Sequence, residues 1–554
     1  MNSQRTAFLL LLAELVTAVF VLSSPYPAFE AHAETGVNLP QPYLVKDINR
    51  QGSGQPRDLI AQKQGIYFAA SYDREATLWK SDGTGQGTSL IKSFGNNSIA
   101  DPIGSLNGVM ANENLYFTTK IPNALWRSNG TEAGTVQVPG PPECEDPLML
   151  TLVGSKVYFF SGAMGGWLCL VGESSNKITY LGYLPTEAIP GKLLLFFRTS
   201  FGVGVSNGTE EGTQEFDTAH VAYGNEFKMA TINDTLFFTG CTNATGCELW
   251  ILEGDGNAPQ LVLDLEPGPT GSRPSGLVAM NDTVYFSAHT NKLGPFLWKS
   301  DGTAAGTKPI AAVNMCCEDD YGFITSAILN NRLYFPGADG NGCEFWETDG
   351  TAQGTRLVKD IYTGHNGSNS SYPKHLTASS KYVFFTANDG IHGRELWASD
   401  GSETGTLLAG NIGTDGDWSY PCEFGSCPND LVLSNEKLFF SAFDKNHDRE
   451  LWALDLNEPT PTADFSALPT SGTPPLPVSF KNLSSGEYDS CSWNFGDGTI
   501  SAGCEDQSHT YTNPGIFDVS LTVSGSDGED TMIRKDYIIV EYFYRTFMPG
   551  VMGK

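Results

Sequence analysis

The sequence predicts an all-β protein with one large repeated domain and a smaller second β domain, and three observations predict this class. A Leu-Trp pair followed by Asp-Gly-Thr, or a close variant, recurs before residue 456. Short segments rich in β-branched and aromatic residues alternate with Asn, Asp and Gly, the signature of strands joined by hairpin turns. A Pro/Thr-rich segment at 457–462 then marks a linker before a region of different composition.

The N-terminal segment predicts export. Arg5 precedes an apolar run at 8–22, and residues 31–33 fit a small-residue cleavage site, so residues 1–33 are interpreted as a signal peptide. Glu14 interrupts the apolar run and departs from the usual pattern. An uncleaved membrane anchor is the alternative interpretation. No later apolar run is long enough to cross a bilayer, so we expect no membrane span in the mature chain.

The charge and the cysteines narrow the classes of partner and compartment. The chain has a net charge of −30, and removing Arg5, Glu14 and Glu30 with the signal leaves −29. Such an acidic chain lacks the basic patches that nucleic acids and anionic membranes require. All 11 cysteines lie at or after Cys144, and in an exported protein they predict disulfides with one cysteine left over.

The repeat predicts the architecture of the large domain. Trp250, Trp298 and Trp346 are spaced by 48 residues. Each unit has four apolar segments, and in one unit these are 277–280, 284–288, 296–300 and 307–313, here called strands a to d. Four short antiparallel strands repeated at this period predict a β-propeller over residues 41–456.

Two features concern the closure and size of this propeller. The segment LVKDI at 44–48 is identical to 357–361 but precedes the first strand a, whereas the last unit stops after its strand c. The N-terminal strand is therefore predicted to complete the last blade, which hides two sheet edges. Nine strand-b segments predict eight or nine blades, because two units are degenerate, and an open array of β units is the alternative.

The repeat also resembles a known family. The pattern ELWxxDGTxxGTxLVKDI is similar to that of bacterial exported repeat proteins of the hyalin-like, ELWxxDGT type. The resemblance covers residues 41–456. It implies a secreted or cell-surface protein and no defined reaction.

The C-terminal region resembles a PKD domain, an immunoglobulin-like β-sandwich, over residues 460–541. The matching residues are Trp493, the segment 495–498, the segment 509–511, Gly515 and the alternating segment 517–523. Alternation places Val519, Leu521 and Val523 on one face, which we expect opposite Trp493. The resemblance implies an extracellular spacer or adhesion module. Residues 542–554 form a C-terminal tail, either a sorting signal or a frayed end.

The strand order separates two faces of the propeller. The a–b and c–d turns share one face and are short and repetitive, whereas the b–c and d–a loops share the other face and vary. Variable loops on a regular scaffold are typical of a binding surface. Its aromatic candidates for ligand binding are Tyr321, Tyr372, Trp418 and Tyr420.

All nine propeller cysteines map to this variable face. The predicted pairs are Cys144–Cys169, Cys241–Cys247, Cys422–Cys427, and Cys343 with either Cys316 or Cys317. In the C-terminal domain, Cys491–Cys504 is expected to join a hairpin. Such bonds stiffen loops and reduce the cost of ordering them on binding, although protection against proteolysis explains them equally well.

Metal and catalytic motifs are sparse. Asp444, Asn446 and Asp448 place oxygen ligands at alternate positions, like half of a calcium loop, but the central Gly and the distal Glu are missing. A plain loop tip is therefore the favoured interpretation, calcium is the hypothesis to test, and no other cofactor is expected. No motif of a hydrolase or nucleotide-binding enzyme is present, so no catalytic residue is predicted.

These observations together predict a non-catalytic secreted or cell-surface binding or adhesion protein of bacterial origin. It would recognise extracellular polysaccharide or a surface protein through the variable face, with the PKD domain as an interaction or spacer module. The alternative is an extracellular polysaccharide hydrolase or lyase of propeller fold.

Overall fold

The computed structural model describes residues 40–542 except 51, 74, 96–107, 121–122, 163–165, 173–177, 183–184, 201, 218–228, 255, 317–324, 341, 364–369, 414–424, 457–460, 487 and 526–527. The predicted signal peptide lies outside the described residues, as does the predicted tail apart from its first residue.

The first strand, β1, spans Tyr43–Lys46 and is followed by four-stranded antiparallel sheets in chain order. Blade 1 contains β2 Arg57–Gln62, β3 Gly65–Tyr72, β4 Glu75–Ser81 and β5 Ser89–Ser93. Blade 2 contains β6 Gly108–Ala111, β7 Asn114–Lys120, β8 Asn123–Ser128 and β9 Val136–Gln137. A 3₁₀ turn, Pro142–Cys144, precedes blade 3, which contains β10 Pro147–Val153, β11 Lys156–Ser161, β12 Leu168–Val171 and β13 Ile178–Gly182.

The next three blades have the same order. Blade 4 contains β14 Pro185–Pro190, β15 Leu195–Thr199, β16 Gly202–Ser206 and β17 Thr213–Asp217. Blade 5 contains β18 Met229–Ile232, β19 Thr235–Thr242, β20 Gly246–Glu253 and β21 Gln260–Leu263. Blade 6 contains β22 Ser275–Met280, β23 Thr283–Thr290, β24 Gly294–Ser300 and β25 Lys308–Ala311.

The last three blades include one irregular sheet and the closing one. Blade 7 has a divided strand a, β26 Asn314–Met315 and β27 Ala327–Leu329, followed by β28 Arg332–Ala338, β29 Cys343–Thr348 and β30 Arg356–Lys359. Blade 8 contains β31 Lys374–Ala378, β32 Val383–Asn388, β33 Arg394–Ser399 and β34 Thr406–Gly410. Blade 9 contains β35 Asn429–Ser434, β36 Lys437–Asp444 and β37 Asp448–Asp455, and β1 is its strand d.

The nine sheets within the described residues follow one another as the blades of a β-propeller. Strand a of each blade contacts its neighbour, and β2 contacts β35, so the contacts run from the last blade back to the first. β1 pairs with β37 through Tyr43–Ala453 and Leu44–Trp452. The sequence prediction that the N-terminal strand completes the last blade is therefore confirmed, and the open array is wrong.

The hydrophobic core lies between blades. Among the described residues, eight clusters of buried side chains each combine two consecutive blades; one of them joins Ile66, Phe68 and Trp79 of blade 1 to Phe439 and Leu451 of blade 9. A four-stranded sheet this small cannot bury both of its faces alone, so packing on the next blade removes the apolar strands from water.

The c–d turns carry a repeated hydrogen-bond network. In blade 7, the carboxylate of Asp349 accepts the backbone N–H of Thr351 at 2.9 Å and its hydroxyl at 2.7 Å. The hydroxyl of Thr351 in turn accepts the N–H of Gly354 at 3.0 Å. Hydrogen bonds from Thr351 lower the pKa of Asp349. The carboxylate of the Asp-Gly-Thr motif therefore has a structural role, which is to hold the turn together.

These turns also pack against the preceding blade and accept a hydrogen bond from it. The glycine of each Asp/Asn-Gly-Thr turn has positive φ, for example 81° at Gly130, where glycine avoids the strain of a side chain. A Cβ at Gly130 would lie 2.7 Å from the hydroxyl oxygen of Tyr67 in blade 1. Lys80 of blade 1 also donates to the carbonyl of Gly130 at 3.0 Å. This face of the propeller is therefore committed to contacts between blades.

The b–c connections differ from the prediction. Strands b and c extend into the segments interpreted as variable loops, so only short hairpin tips remain, for example 243–245 and 291–293. Cys241 and Cys247 accordingly lie in β19 and β20, directly opposite each other. The d–a segments therefore remain the main candidates for variable connections on this face.

The C-terminal module is a separate sandwich of two sheets. One sheet contains β38 Phe465–Leu468, β40 Leu476–Asn482 and β43 Gln507–Tyr511. The other contains β39 Ser471–Gly472, β41 Ser490–Asn494, β42 Ile500–Ala502, β44 Gly515–Gly525 and β45 Gly528–Val540.

Trp493 is the centre of this sandwich. It is fully buried, and its ring lies edge-on to Phe465 of the other sheet at 5.3 Å. The expectation that Trp493 lies opposite Leu521 is wrong, because β41 pairs with β44 and makes these two residues direct neighbours in one sheet. Alternation identified the shared buried face but could not identify the partner strand.

Candidate functional site

The loop face, defined here as the end of the propeller that carries the b–c tips and the d–a connections, is built on buried glutamates. In blade 7, Glu344 of strand c is 4% exposed. Its carboxylate accepts the backbone N–H of Ile361 at 2.9 Å, just after strand d, and the N–H of Ser371 at 2.8 Å, just before the next strand a. One side chain therefore holds both ends of the d–a connection together.

The same clamp occurs in three other blades. The four glutamates, all in the position before Leu-Trp or Phe-Trp, are Glu248, Glu344, Glu395 and Glu450. Each accepts backbone N–H groups from the two ends of a d–a connection: Glu248 from Glu266 and Ser272; Glu344 from Ile361 and Ser371; Glu395 from Ile412, Gly413 and Ser426; and Glu450 from Ile48 and Gly54. In these four blades the clamp fixes the neck of the d–a connection, meaning its first and last residues. The residues between them differ in sequence and number from blade to blade.

Burial perturbs the acidity of these clamps. It raises the pKa of Glu395 to about 7, against hydrogen bonds from Ser426, Ile412 and Gly413 that lower it. Burial raises the pKa of Glu450 to about 7 in the same way. Desolvation disfavours the charged carboxylate more than the surrounding N–H and O–H donors favour it.

Disulfides add covalent links on the same face. The structure has Cys144–Cys169, Cys241–Cys247 and Cys316–Cys343, and Cys491–Cys504 in the C-terminal sandwich. These pairs coincide with the predicted ones and select Cys316 over Cys317. Cys427 is also disulfide-bonded, and its predicted partner Cys422 lies outside the described residues, as does Cys317.

The predicted aromatic binding residues are placed only in part. Tyr372 is 47% exposed at the end of the connection from blade 7 to blade 8, where Arg394 donates to its carbonyl at 2.8 Å. Tyr321, Trp418 and Tyr420 lie outside the described residues. A role in binding for all four stays a prediction.

The predicted calcium segment forms a hairpin tip between strands b and c of blade 9. Asp444 accepts the backbone N–H groups of Asn446 and His447, both at 2.7 Å, and pairs with the His447 ring at 2.8 Å. Within the described residues, no group of three or more His, Cys, Asp or Glu side chains is arranged to hold a metal. Calcium at Asp444, Asn446 and Asp448 stays a prediction.

A pair of acids that the sequence did not single out lies on the inner strands of blades 9 and 1. The backbone N–H of Asp58 in β2 donates to the carboxylate of Asp430 in β35 at 3.2 Å. Burial, and then the charge of Asp58, raise the pKa of Asp430 to about 6. Each is the second residue of a strand a and has positive φ, 54° for Asp58 and 55° for Asp430. The two residues therefore meet at the loop-face ends of neighbouring inner strands.

A cleft of about 550 Å³ lies between the outer parts of the same two blades. It is bounded by the connection 47–50 from blade 9 and by Tyr72, Asp73, Trp79 and Leu90 of blade 1. This cleft is hard to predict from sequence because its two walls belong to the last and the first blade of the ring. The signal that was available is the LVKDI segment itself, whose contact with the last blade implies a junction there.

Residues 457–540 match the family model of the PKD domain. The crystal structure of the PKD1 domain of Vibrio anguillarum Epp is 32% identical; the match covers 15% of this chain and 100% of that one, with a TM-score of 0.13. The C-terminal module is therefore a PKD domain. This domain and the disulfides indicate an extracellular protein, and the described residues contain no helix long and apolar enough to cross a membrane.

The propeller is similar to solved structures only at the level of overall likeness. A puromycin hydrolase is 12% identical over 73% of this chain and 62% of that one, with a TM-score of 0.39. BamB from Moraxella catarrhalis is 10% identical over 76% of this chain and 98% of that one, with a TM-score of 0.36. The chain spans less than two thirds of the length of the puromycin hydrolases that it matches. No curated protein matches the chain.

Proposed function

We propose that this chain is an exported bacterial binding protein of the ELWxxDGT type. It recognises an extracellular polysaccharide or a surface protein through the loop face of the propeller, and the PKD domain serves as an interaction or spacer module. The observation that carries the proposal is a difference between the two ends of the propeller. One end is taken up by contacts between blades, whereas the other presents connections that differ from blade to blade.

The turn face is the opposite end of the propeller, which carries the a–b and c–d turns. There, the Asp/Asn-Gly-Thr side chains, the glycines and the lysines make contacts within and between blades. On the loop face, buried glutamates and disulfides fix the necks of connections that differ from blade to blade. A fixed neck reduces the entropy that a loop loses on binding, which favours a recognition surface there.

The experiment blocks one face at a time at the two tips of strand c in blade 6. Lys292 is exposed at the loop-face end and Ala304 at the turn-face end. K292C and A304C are coupled to a large polyethylene glycol maleimide, and binding to immobilised polysaccharides and to cell-surface protein extracts is measured. The coupled wild-type chain controls for its odd cysteine. We expect loss of binding only for K292C; equal loss for A304C would contradict the proposal.

A second function, hydrolysis or elimination of a polysaccharide, is favoured by Asp58 and Asp430 alone. A carboxyl group that keeps its proton near pH 6 beside a second carboxylate has the property of a general acid. Product release is therefore measured on the same polysaccharides for the wild type and for D430N. Turnover that D430N abolishes while binding persists would establish the enzyme; binding without turnover supports the binding protein.

A further inference from the structure

We propose that the cleft between blades 9 and 1 is a subsite for a neutral saccharide ring. This inference rests on the proposed binding function of the loop face and specifies its ligand class. The cleft is lined by Asp47, Asn49 and Arg50 on the blade 9 side and by Tyr72, Asp73 and Leu90 on the blade 1 side. Its volume of about 550 Å³ lies in the range of small-molecule sites.

The walls of the cleft are held in place before any ligand arrives. Glu450 accepts the N–H of Ile48 at 3.0 Å and of Gly54 at 2.7 Å, which fixes the connection on the blade 9 side. Lys46 donates to the carbonyls of Gly85 and Thr88 across the junction, at 3.1 and 2.7 Å. A preformed site binds without the cost of ordering its walls.

The floor is aromatic and equally constrained. The Tyr72 ring lies edge-on to Trp79 with centroids 6.0 Å apart, and Lys46 lies 5.8 Å from the Trp79 ring. Tyr72 is nevertheless 44% exposed and Leu90 is 43% exposed. They form a supported apolar platform that still contacts solvent.

A comparison with the junction between blades 7 and 8 shows that the open cleft is specific to the junction between blades 9 and 1 and is not shared by that repeat. It has the same LVKDI segment, the same clamp through Glu344, and the same lysine contact, in which Lys359 donates to Thr406 at 2.8 Å. There, however, Tyr362 occupies the position of Asn49. Its ring packs so closely that a Cβ on Gly390 would lie 2.5 Å from it. A large side chain fills the space that Asn49 leaves open.

The polar groups around the platform select the ligand class. Side chains of Asp47, Asp73 and Arg50 form no hydrogen bond with any residue in the described part of the chain. Two carboxylates and a net charge of −30 disfavour an anion, and Lys46 and Arg50 disfavour a cation. A sugar ring offers an apolar C–H face for Tyr72 and Leu90 and hydroxyls that donate to carboxylates and accept from Arg50.

The test uses the full chain and defined oligosaccharides. Cello-, xylo-, malto- and galacto-oligosaccharides represent neutral ligands, and oligogalacturonate and a sulfated oligosaccharide represent anionic ones. Isothermal titration compares the wild type with N49Y, which copies the filled junction, with Y72A, which removes the platform, and with L193A. The last variant is a control, because Leu193 is exposed in the a–b turn of blade 4, on the opposite face of the propeller. Thermal melting verifies that each variant folds.

We expect at least one neutral series to bind. Both variants should weaken this binding by about tenfold, which corresponds to about 1.4 kcal/mol, because N49Y fills the cleft and Y72A removes its aromatic platform. L193A should leave this affinity unchanged. Neutral binding that survives both N49Y and Y72A overturns the cleft while leaving the binding function intact. Binding of the anionic probes alone, or of surface protein alone, also overturns it. If the wild type binds neither saccharide nor surface protein, the proposed function fails together with the cleft.

Discussion

The contact between Tyr67 and the Gly130 turn provides a quantitative test of how neighbouring blades are joined. G130A introduces a Cβ at φ 81°, 2.7 Å from the Tyr67 hydroxyl oxygen. G302A is the matched control, because the same turn in blade 6 has φ 90° but faces Phe237, whose nearest atom is 3.4 Å away. G302A therefore measures backbone strain alone, and G130A measures strain plus overlap.

The expected magnitudes follow from these distances. A left-handed conformation costs a residue with a Cβ about 1–2 kcal/mol, which is the whole effect expected for G302A. Overpacking adds about 1–3 kcal/mol, so G130A should cost about 2–5 kcal/mol. Y67F removes the clashing oxygen and leaves the ring carbon at 3.6 Å as the nearest atom. The double variant G130A/Y67F should then regain most of the stability that G130A loses through overpacking.

The assay is urea unfolding followed by tryptophan fluorescence for the wild type, G302A, G130A, Y67F and the double variant. The double-mutant cycle isolates the pairwise coupling, expected at about 1–3 kcal/mol. Equal m-values would show that the unfolding unit is unchanged. A G302A variant that is destabilised as much as G130A would refute a steric contact between Tyr67 and position 130. So would a double variant G130A/Y67F that is no more stable than the additive effects of its two substitutions.

Three further predictions concern the glutamate clamps, the disulfides and the PKD core. The pKa of Glu395 and of Glu450 is about 7 in the folded state, against a usual 4.5. Between these two values the folded state keeps a proton that the unfolded state has lost. Each glutamate should therefore lower the free energy of unfolding by about 3 kcal/mol as pH rises from about 4.5 to about 7.5. Melting curves across that range should flatten for E395Q and E450Q, and an unchanged slope would contradict the perturbed acidity. Removing Cys144–Cys169, which spans 25 residues, should cost about 3.5 kcal/mol, against about 2 kcal/mol for Cys241–Cys247, which spans 6; the opposite order in denaturant midpoints would argue against the chain-entropy explanation. Y511F leaves the buried carbonyl of Phe495 without its 2.9 Å donor and should destabilise the PKD domain by about 1–3 kcal/mol, measured from the near-UV signal of its unfolding.

Much of the fold follows from short-range sequence features. The strands a to d and the Asp-Gly-Thr turns are encoded within single units, and the 48-residue period is the spacing at which these units repeat. The sequence therefore predicts all three directly. The pairing of β1 with β37 could also be inferred, because a repeated LVKDI segment is displaced to the N-terminus. The b–c loops were overestimated because strand length depends on how far two hairpin partners stay paired, which composition does not show.

The candidate site depended on long-range contacts. Glu344 reaches Ser371, 27 residues away, and Glu450 reaches Ile48, 402 residues away. From the sequence, each glutamate is only a charged residue before Leu-Trp or Phe-Trp, and its burial and elevated pKa depend on connections that fold over it. The approach of Asp58 to Asp430 likewise exists only after the ring closes.

By itself the sequence determined the all-β class, the repeated blade, the closing strand, three of the four described cysteine pairs and the PKD domain, since each can be recognised from residue types and their spacing along the chain. Only the tertiary structure decided which acids are buried, which turns lock blades together, and that Asn49 leaves open a cleft that Tyr362 fills at an equivalent junction. These properties depend on the space between blades, and that space is set by side chains far apart in the chain.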